Sequence, residues 1–258
     1  MTPSFRELFS EEYHRLDRGQ PLLIALIGAG GKTSTLHWLA QAFYHQGKRV
    51  LFTTTTKMYL PTAANYHHLL IGQPPTTSST PAITACFSHY QPQDNKVIGL
   101  TPEQIDEIKQ RGAFDVILVE ADGSRGFPLK APARHEPCIP SRSDCVIALT
   151  GGQAIDRPAD PQQIHRWAIF SALTGVGAGE VLDHRVFDTL IAHPDGMFKG
   201  TPPQTRRVWL INQASHCDNQ PAARWQPLLR PELALSAIWF GAVQEPPAIH
   251  HLIRRLTR

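Results

Sequence analysis

A chain of 258 residues with 41% apolar and 18% charged residues is long enough to bury a substantial core and has the composition of an ordinary globular protein. Its net charge of +3 gives no compositional support to a nucleic-acid or polybasic membrane-binding role. No run approaches the ~20 apolar residues of a membrane span, and residues 1–20 mix acidic and basic side chains without the apolar segment of a signal peptide, so a cytoplasmic location is expected.

Phe5, Leu8, Phe9 and Leu16 space out an amphipathic helix, expected to cover the sheet edge. Leu22 to Ile27 is a continuous aliphatic run of strand length, which predicts a buried parallel strand. From Thr33 the apolar period changes: Leu36, Leu39, Ala40 and Phe43 mark one face of a helix that Gly47 ends. Between strand and helix lies G-A-G-G-K-T-S, Gly28, Ala29, Gly30, Gly31, Lys32, Thr33 and Ser34. Glycines permit backbone angles that turn successive N–H groups toward phosphate oxygens, and the helix start adds its positive end. Lys32 would reach the terminal phosphates and the Thr33 hydroxyl would ligate Mg²⁺. The loop is shorter than the usual pattern, whose first glycine position is Leu26 here, and it is similar in length to the G-x-x-G-K-T loop of Mur-type ligases.

A second buried strand, Val50 to Phe52, runs into Thr53, Thr54, Thr55, Thr56 and Lys57. These β-branched residues either extend the strand or present hydroxyls and an ammonium to a ligand at the strand's carboxyl end. Residues 60–100, broken by prolines and by Thr76 to Thr80, predict a small irregular insertion of short antiparallel strands with a mobile Thr/Pro/Ser segment, within one domain spanning 1–258. Thr101-Pro102-Glu103-Gln104 opens a helix with a capping box, and Gly112 closes it.

Asp115 to Val119 is a third buried strand, ending in Glu120-Ala121-Asp122-Gly123. A carboxylate at that place holds Mg²⁺ in phosphate-loop proteins; Glu120 and Asp122 point to the same side if the extension persists, and either is a candidate inner ligand. Arg125 and Lys130 supply positive charge for phosphate or an anionic substrate. His135 beside Glu136 suits acid–base work, substrate binding or a structural bridge. Further strands are expected at Cys145 to Leu149, Val208 to Ile211 and Leu233 to Phe240. Helices are expected after Pro161 (Ile164, Trp167, Ala168, Leu173), at 183–193, at 222–229, and as a basic C-terminal helix ending in Arg254 and Arg255. Asn212 follows a strand where several such proteins read the base; because Gln213 and Ser215 break the N-K-x-D guanine signature, adenine is expected. Cys86, Cys138, Cys145 and Cys217 are widely spaced, and the 13 histidines show no metal-ligand pattern, which suits free thiols and speaks against structural zinc. The fold class expected is α/β, a mostly parallel sheet with helices on both faces, like a P-loop NTPase.

The stretches GAGGKTS (28–34), VLFTTTTKM (50–58) and VILVEADGSRGFPLKAPARHEP (116–137), with His165-Arg166 and Asn212-Gln213, resemble the YqeC family, accessory factors of selenium-dependent molybdenum hydroxylases. The resemblance implies a nucleotide-binding protein that serves maturation of a selenium-containing molybdenum cofactor, with the hydroxylase or its cofactor-maturation proteins as partners. Three functions fit: Mg²⁺-dependent ATP (or other NTP) hydrolysis or phosphoryl transfer through Lys32, Glu120 and Asp122; a nucleotide-gated carrier or assembly factor without its own chemistry; or a Mur-like ATP-dependent ligase.

Overall fold

The structure is a computed structural model that describes residues 2–73, 75, 79–214 and 221–255. Two short helices, α1 (Phe5–Leu8) and α2 (Ser10–Leu16), precede strand β1 (Leu22–Gly28). The glycine-rich turn leads into α3 (Lys32–His45), then β2 (Val50–Thr54) and β3 (Lys57–Tyr59). The proline-interrupted region forms β4 (His68–Ile71), β5 (Ile83–Phe87), β6 (His89–Gln91) and β7 (Lys96–Ile98). After α4 (Pro102–Arg111) come β8 (Val116–Glu120), the two-residue β9 (Leu129–Lys130), β10 (Cys145–Gly151) and the two-residue β11 (Ile164–His165). The chain continues through α5 (Trp167–Thr174), α6 (His184–Ala192), β12 (Arg206–Asn212), α7 (Pro221–Trp225), β13 (Leu235–Gly241) and β14 (Ile249–Arg254).

Nine strands make one sheet in the order β14-β13-β12-β10-β1-β8-β2-β5-β4, parallel throughout except for β14 on β13. Successive strand residues point to opposite faces. β1 therefore sends Leu22, Ile24 and Leu26 to one side, against Leu36, Leu39, Ala40 and Phe43 of α3, and Leu23, Ala25 and Ile27 to the other, with Ile105 of α4, Phe170 of α5 and Leu190 of α6. Covered on both faces, the central strands have no polar side to show, which is why they read as unbroken aliphatic runs. The expected α/β fold is the one observed. Among the described residues no helix is long and apolar enough to cross a membrane.

Several local expectations change. The N-terminal helices lie on a sheet face, not its edge: Phe9 sits 5.3 Å from the ring of Phe43 and 5.2 Å from that of Trp239. In the 60–100 region, β6 and β7 do pair antiparallel, together with β3, but β4 and β5 join the main sheet in parallel. Ile164 and His165 pair with Leu129 and Lys130 as strand, so the helix expected from Ile164 begins at Trp167. The basic C-terminal helix is instead β14, because β13 offers an open edge and Ile249 to Ile253 supply a half-buried strand that completes it. The helix expected at 222–229 is α-helical over Pro221–Trp225 and 3-10 over Gln226–Leu229. Residues 74 and 76–78 of the Thr/Pro/Ser segment, Ser215 and Cys217 lie outside the described residues.

Topology places the site. β10 and β8 flank β1, and the chain leaving β1 passes over β8 to reach β2. A crevice outside the carboxyl ends of β1 and β8 follows from that arrangement. Leu26 stands opposite Glu120 in the β1–β8 register, so the glycine loop and the Glu120-to-Asp122 turn leave the sheet side by side.

Candidate functional site

Gly28, Gly30 and Gly31 all have positive φ, at 90°, 89° and 111°. A Cβ on Gly30 would lie 2.2 Å from the Gly151 nitrogen, and one on Gly31 2.4 Å from Asn212 Nδ2. Both conformation and space thus demand glycine. The loop's amides divide in two. Gly28 N–H donates to Asp122 Oδ2 (3.0 Å), Ala29 N–H to the Leu149 carbonyl and Gly30 N–H to the Phe127 carbonyl. The amides of Gly31, Lys32, Thr33 and Ser34 have no acceptor among the described residues; they are the four unsatisfied donors at the start of the 14-residue helix α3. The amides left open to a ligand are therefore those of Gly31 to Ser34, while those of Gly28 to Gly30 are spent on shaping the loop.

Lys32 is buried, yet its ammonium is not bare. It donates to the Gly28 carbonyl at 2.7 Å and lies 3.2 Å from Asp122 Oδ1 and 4.0 Å from Glu120 Oε1. The Asp122 contact is an ion pair without a hydrogen bond. Asp122 also accepts from Lys130 Nζ at 2.9 Å, and the same ammonium donates to the Gly123 carbonyl and to Glu136 Oε2, both at 2.6 Å. Arg166 closes the row with a forked pair onto Glu136 at 2.7 and 2.9 Å. Lys32, Lys130 and Arg166 thus balance Glu120, Asp122 and Glu136 in one continuous set, buried except for half-buried Arg166. Burial alone would raise Glu136, but the Arg166 and Lys130 hydrogen bonds outweigh it and bring its pKa down to about 2. Glu120 goes the other way: desolvation raises it, against the pull of Lys32 and of the Thr33 hydrogen bond.

Thr33 is exposed at the mouth of the site, and its hydroxyl donates to Glu120 Oε2 at 2.8 Å. This hydroxyl–carboxylate pair suits a hard divalent cation, which takes oxygen ligands and keeps several from water and phosphate. Among the described residues no group of three or more His, Cys, Asp or Glu side chains is arranged to hold a metal unaided, so an ion here would depend on ligand oxygens. Asp122, bonded to Gly28 N–H, Lys32 and Lys130, stands behind Lys32.

The remaining expected site residues divide into those engaged by the fold and those held apart. Thr54 Oγ1 donates to the Glu120 carbonyl (2.7 Å) and Thr55 Oγ1 to the Cys138 carbonyl (2.8 Å), while the Thr56 hydroxyl lies 3.2 Å from that of Thr54. The hydroxyl row therefore ties β2 to the Glu120 turn and to the 131–140 loop. Lys57 is exposed on the small antiparallel sheet, and Arg125 is exposed at a positive φ of 51°. Neither contacts the set. Lys130 has every donor committed to protein acceptors. His135 is 78% exposed and only 3.9 Å from Glu136, whose carboxylate is already forked by Arg166. Glu136 thus bridges Lys130 and Arg166. Asn212 is buried with both amide ends engaged: Nδ2 donates to the Gly30 carbonyl (2.8 Å) and Oδ1 accepts from Val243 N–H (3.1 Å). It brackets the loop, spending one amide hydrogen and one oxygen lone pair on the fold.

Arg166 is the residue whose role the sequence spacing did not reveal. It sits at φ 63° as the N-cap of α5, after a stretch with no clear period, and only the resemblance singles out His165-Arg166. His165 stacks on Phe127 at 5.5 Å; burial, with Arg166 and Lys130 nearby, lowers its pKa to about 4, so it is neutral at physiological pH.

The family model described as "YqeC protein" matches residues 24–168, which include the glycine loop, the Glu120-to-Glu136 segment and Arg166. The chain is also 45% identical over 235 residues to "Uncharacterized protein YqeC" of Escherichia coli (strain K12), covering 89% of this chain and 91% of that relative.

Proposed function

The chain belongs to the YqeC family, and on that premise we propose that it binds a nucleoside triphosphate, ATP in the first place, with Mg²⁺ at the Gly31-to-Ser34 amides, and hydrolyses it or transfers its terminal phosphoryl group. The observation that carries this reading is the row of four unpartnered amides at the start of α3, with a buried lysine behind it and an exposed threonine beside a buried glutamate. Helix-start amides favour anions wherever they occur, but the lysine and the hydroxyl–carboxylate pair add the two partners a triphosphate with its cation requires.

The residues divide the work as follows. The four amides orient phosphate oxygens. Lys32 neutralises charge that develops on them, after exchanging its Asp122 contact for phosphate. Thr33 and Glu120 would hold Mg²⁺, which would supply neutralisation of phosphate charge when bound. Asp122 aims Lys32, and as Lys32 departs it retains Lys130. Service to a selenium-containing molybdenum cofactor, with a molybdenum hydroxylase or its maturation proteins as partners in the cytoplasm, extends this reading and rests on the resemblance alone.

A second reading, a nucleotide-gated assembly factor, has its own observation. Lys32 is joined to Arg166 through Asp122, Lys130 and Glu136, so drawing Lys32 onto a phosphate perturbs a row of ion pairs that holds the 131–137 loop and the start of α5. Phosphate release from ATP and GTP, with and without Mg²⁺, separates the readings. Steady Mg²⁺-dependent turnover supports the enzyme; stoichiometric binding without turnover supports the factor; the absence of both contradicts the site.

A further inference from the structure

β12 runs from Arg206 to Asn212, seven residues spanning roughly 20 Å. Its last residue brackets the glycine loop; its first lines a groove of about 1010 Å³ at the opposite end of the sheet. Among the described residues, four arginines, Arg206, Arg230, Arg254 and Arg255, line that groove with a single carboxylate, Glu11, and the exposed rings of Pro227 and Pro231.

The arginines are unequally satisfied. Arg230 forks onto Asp188 at 2.6 and 3.1 Å, and Arg254 donates to the Glu7 carbonyl. The Arg206 side chain is only 8% exposed, and all its hydrogen bonds come from Nη1, to the Leu8 carbonyl and to both oxygens of buried Glu12. Its Nε is buried without a hydrogen-bond partner, 4.0 Å from Glu11 Oε1. A guanidinium carries five donors, and this one keeps its Nε unfilled and closed to solvent near Glu11. Arg255 is exposed and forms no ion pair with the described residues. Four arginines against one carboxylate among the described lining residues, with Arg254, Arg255, Pro227 and Pro231 exposed, call for an extended anionic ligand with apolar side chains.

We propose that this groove docks an acidic, partly apolar segment of a partner protein, its carboxylates taken by the exposed Arg254 and Arg255 and its apolar residues by the exposed Pro227 and Pro231. Arginine suits this role because its planar fork matches a carboxylate bidentately. The surface is separate from the phosphate loop, so the proposal stands independently of nucleotide chemistry.

The test is fluorescence anisotropy of the full chain with a labelled peptide of alternating glutamate and leucine. Binding should weaken about tenfold in Arg255→Glu, which removes a side chain the fold does not use, and fall with added salt. Arg157→Glu makes the same charge change at an exposed position outside the groove and should leave binding unchanged. Glu11→Gln removes the groove's own carboxylate and should tighten binding, a gain that misfolding does not imitate. No binding to the wild type, equal losses in Arg255→Glu and Arg157→Glu, or tighter binding of a thymidine oligonucleotide of equal charge would overturn the proposal.

Discussion

Lys32 Nζ lies 3.2 Å from Asp122 Oδ1, and both side chains are 2% exposed. A buried ammonium and carboxylate pay a large desolvation cost that their mutual attraction and hydrogen bonds must offset, and removing one partner leaves the other uncompensated. Asp122→Ala strands Lys32 and Lys130 together and should lower stability by about 3–5 kcal/mol in urea unfolding. Asp122→Asn, which keeps an acceptor, should cost less and free Lys32 for phosphate, so inorganic phosphate should restore more of its stability than it adds to the wild type.

Both ends of the Asn212 amide are held, by the Gly30 carbonyl and the Val243 amide. Asn212→Ala should therefore destabilise the fold by about 1–3 kcal/mol, the cost of buried polar groups left unpaired. It should weaken ATP and GTP binding by the same factor. A selective loss of one nucleotide would show that the amide reads the base after all.

Acid should reveal Glu136. Its pKa falls from an ordinary value of 4.5 to about 2 through Arg166 and Lys130. Its contribution is thus complete above the unfolded value and lost as pH falls from about 4.5 toward about 2, amounting to up to about 3 kcal/mol. Glu136→Gln should flatten the stability profile across that window, and Arg166→Ala should shift the wild-type loss to higher pH. Both are read by chemical denaturation at a series of pH values.

The Thr33–Glu120 hydrogen bond is exposed on the threonine side and buried on the other. Thr33→Val removes the hydroxyl at nearly constant volume and should abolish the dependence of nucleotide binding on Mg²⁺ while leaving fold stability within about 1 kcal/mol. Retained Mg²⁺ dependence would move the cation away from this pair.

The central strands and the glycine turn were legible because local and global demands agree there. Leu22 to Ile27 can only be buried on both faces, and a strand ending in three glycines before a helix has one arrangement. The C-terminal strand was not legible. Ile249 to Arg254 contains too short an apolar pattern to separate strand from helix, and the decision came from the open edge of β13, far away in sequence. The site divides in the same way. The proximity of Lys32 and Thr33 to Glu120 and Asp122 was legible because the glycine turn and the Glu120-to-Asp122 turn leave adjacent strands. The contacts of Lys130, Glu136 and Asn212 were not legible, because side-chain type does not reveal that Glu136 bridges Lys130 and Arg166 or that Asn212 joins the Gly30 carbonyl to the Val243 amide. Arg166 reaches Glu136 across 30 residues, beyond any local period.

The account's central claim is that the Gly31-to-Ser34 amides and Lys32 bind the phosphates of a nucleotide. Calorimetric titration of ATP and GTP, each with and without Mg²⁺, into the wild type and Lys32→Ala addresses it directly. Magnesium-dependent ATP binding that weakens by roughly ten- to a hundredfold in Lys32→Ala, the 1.5–3 kcal/mol of a charged hydrogen bond, is the result expected. No heat with either nucleotide, or equal affinity in both proteins, would contradict it.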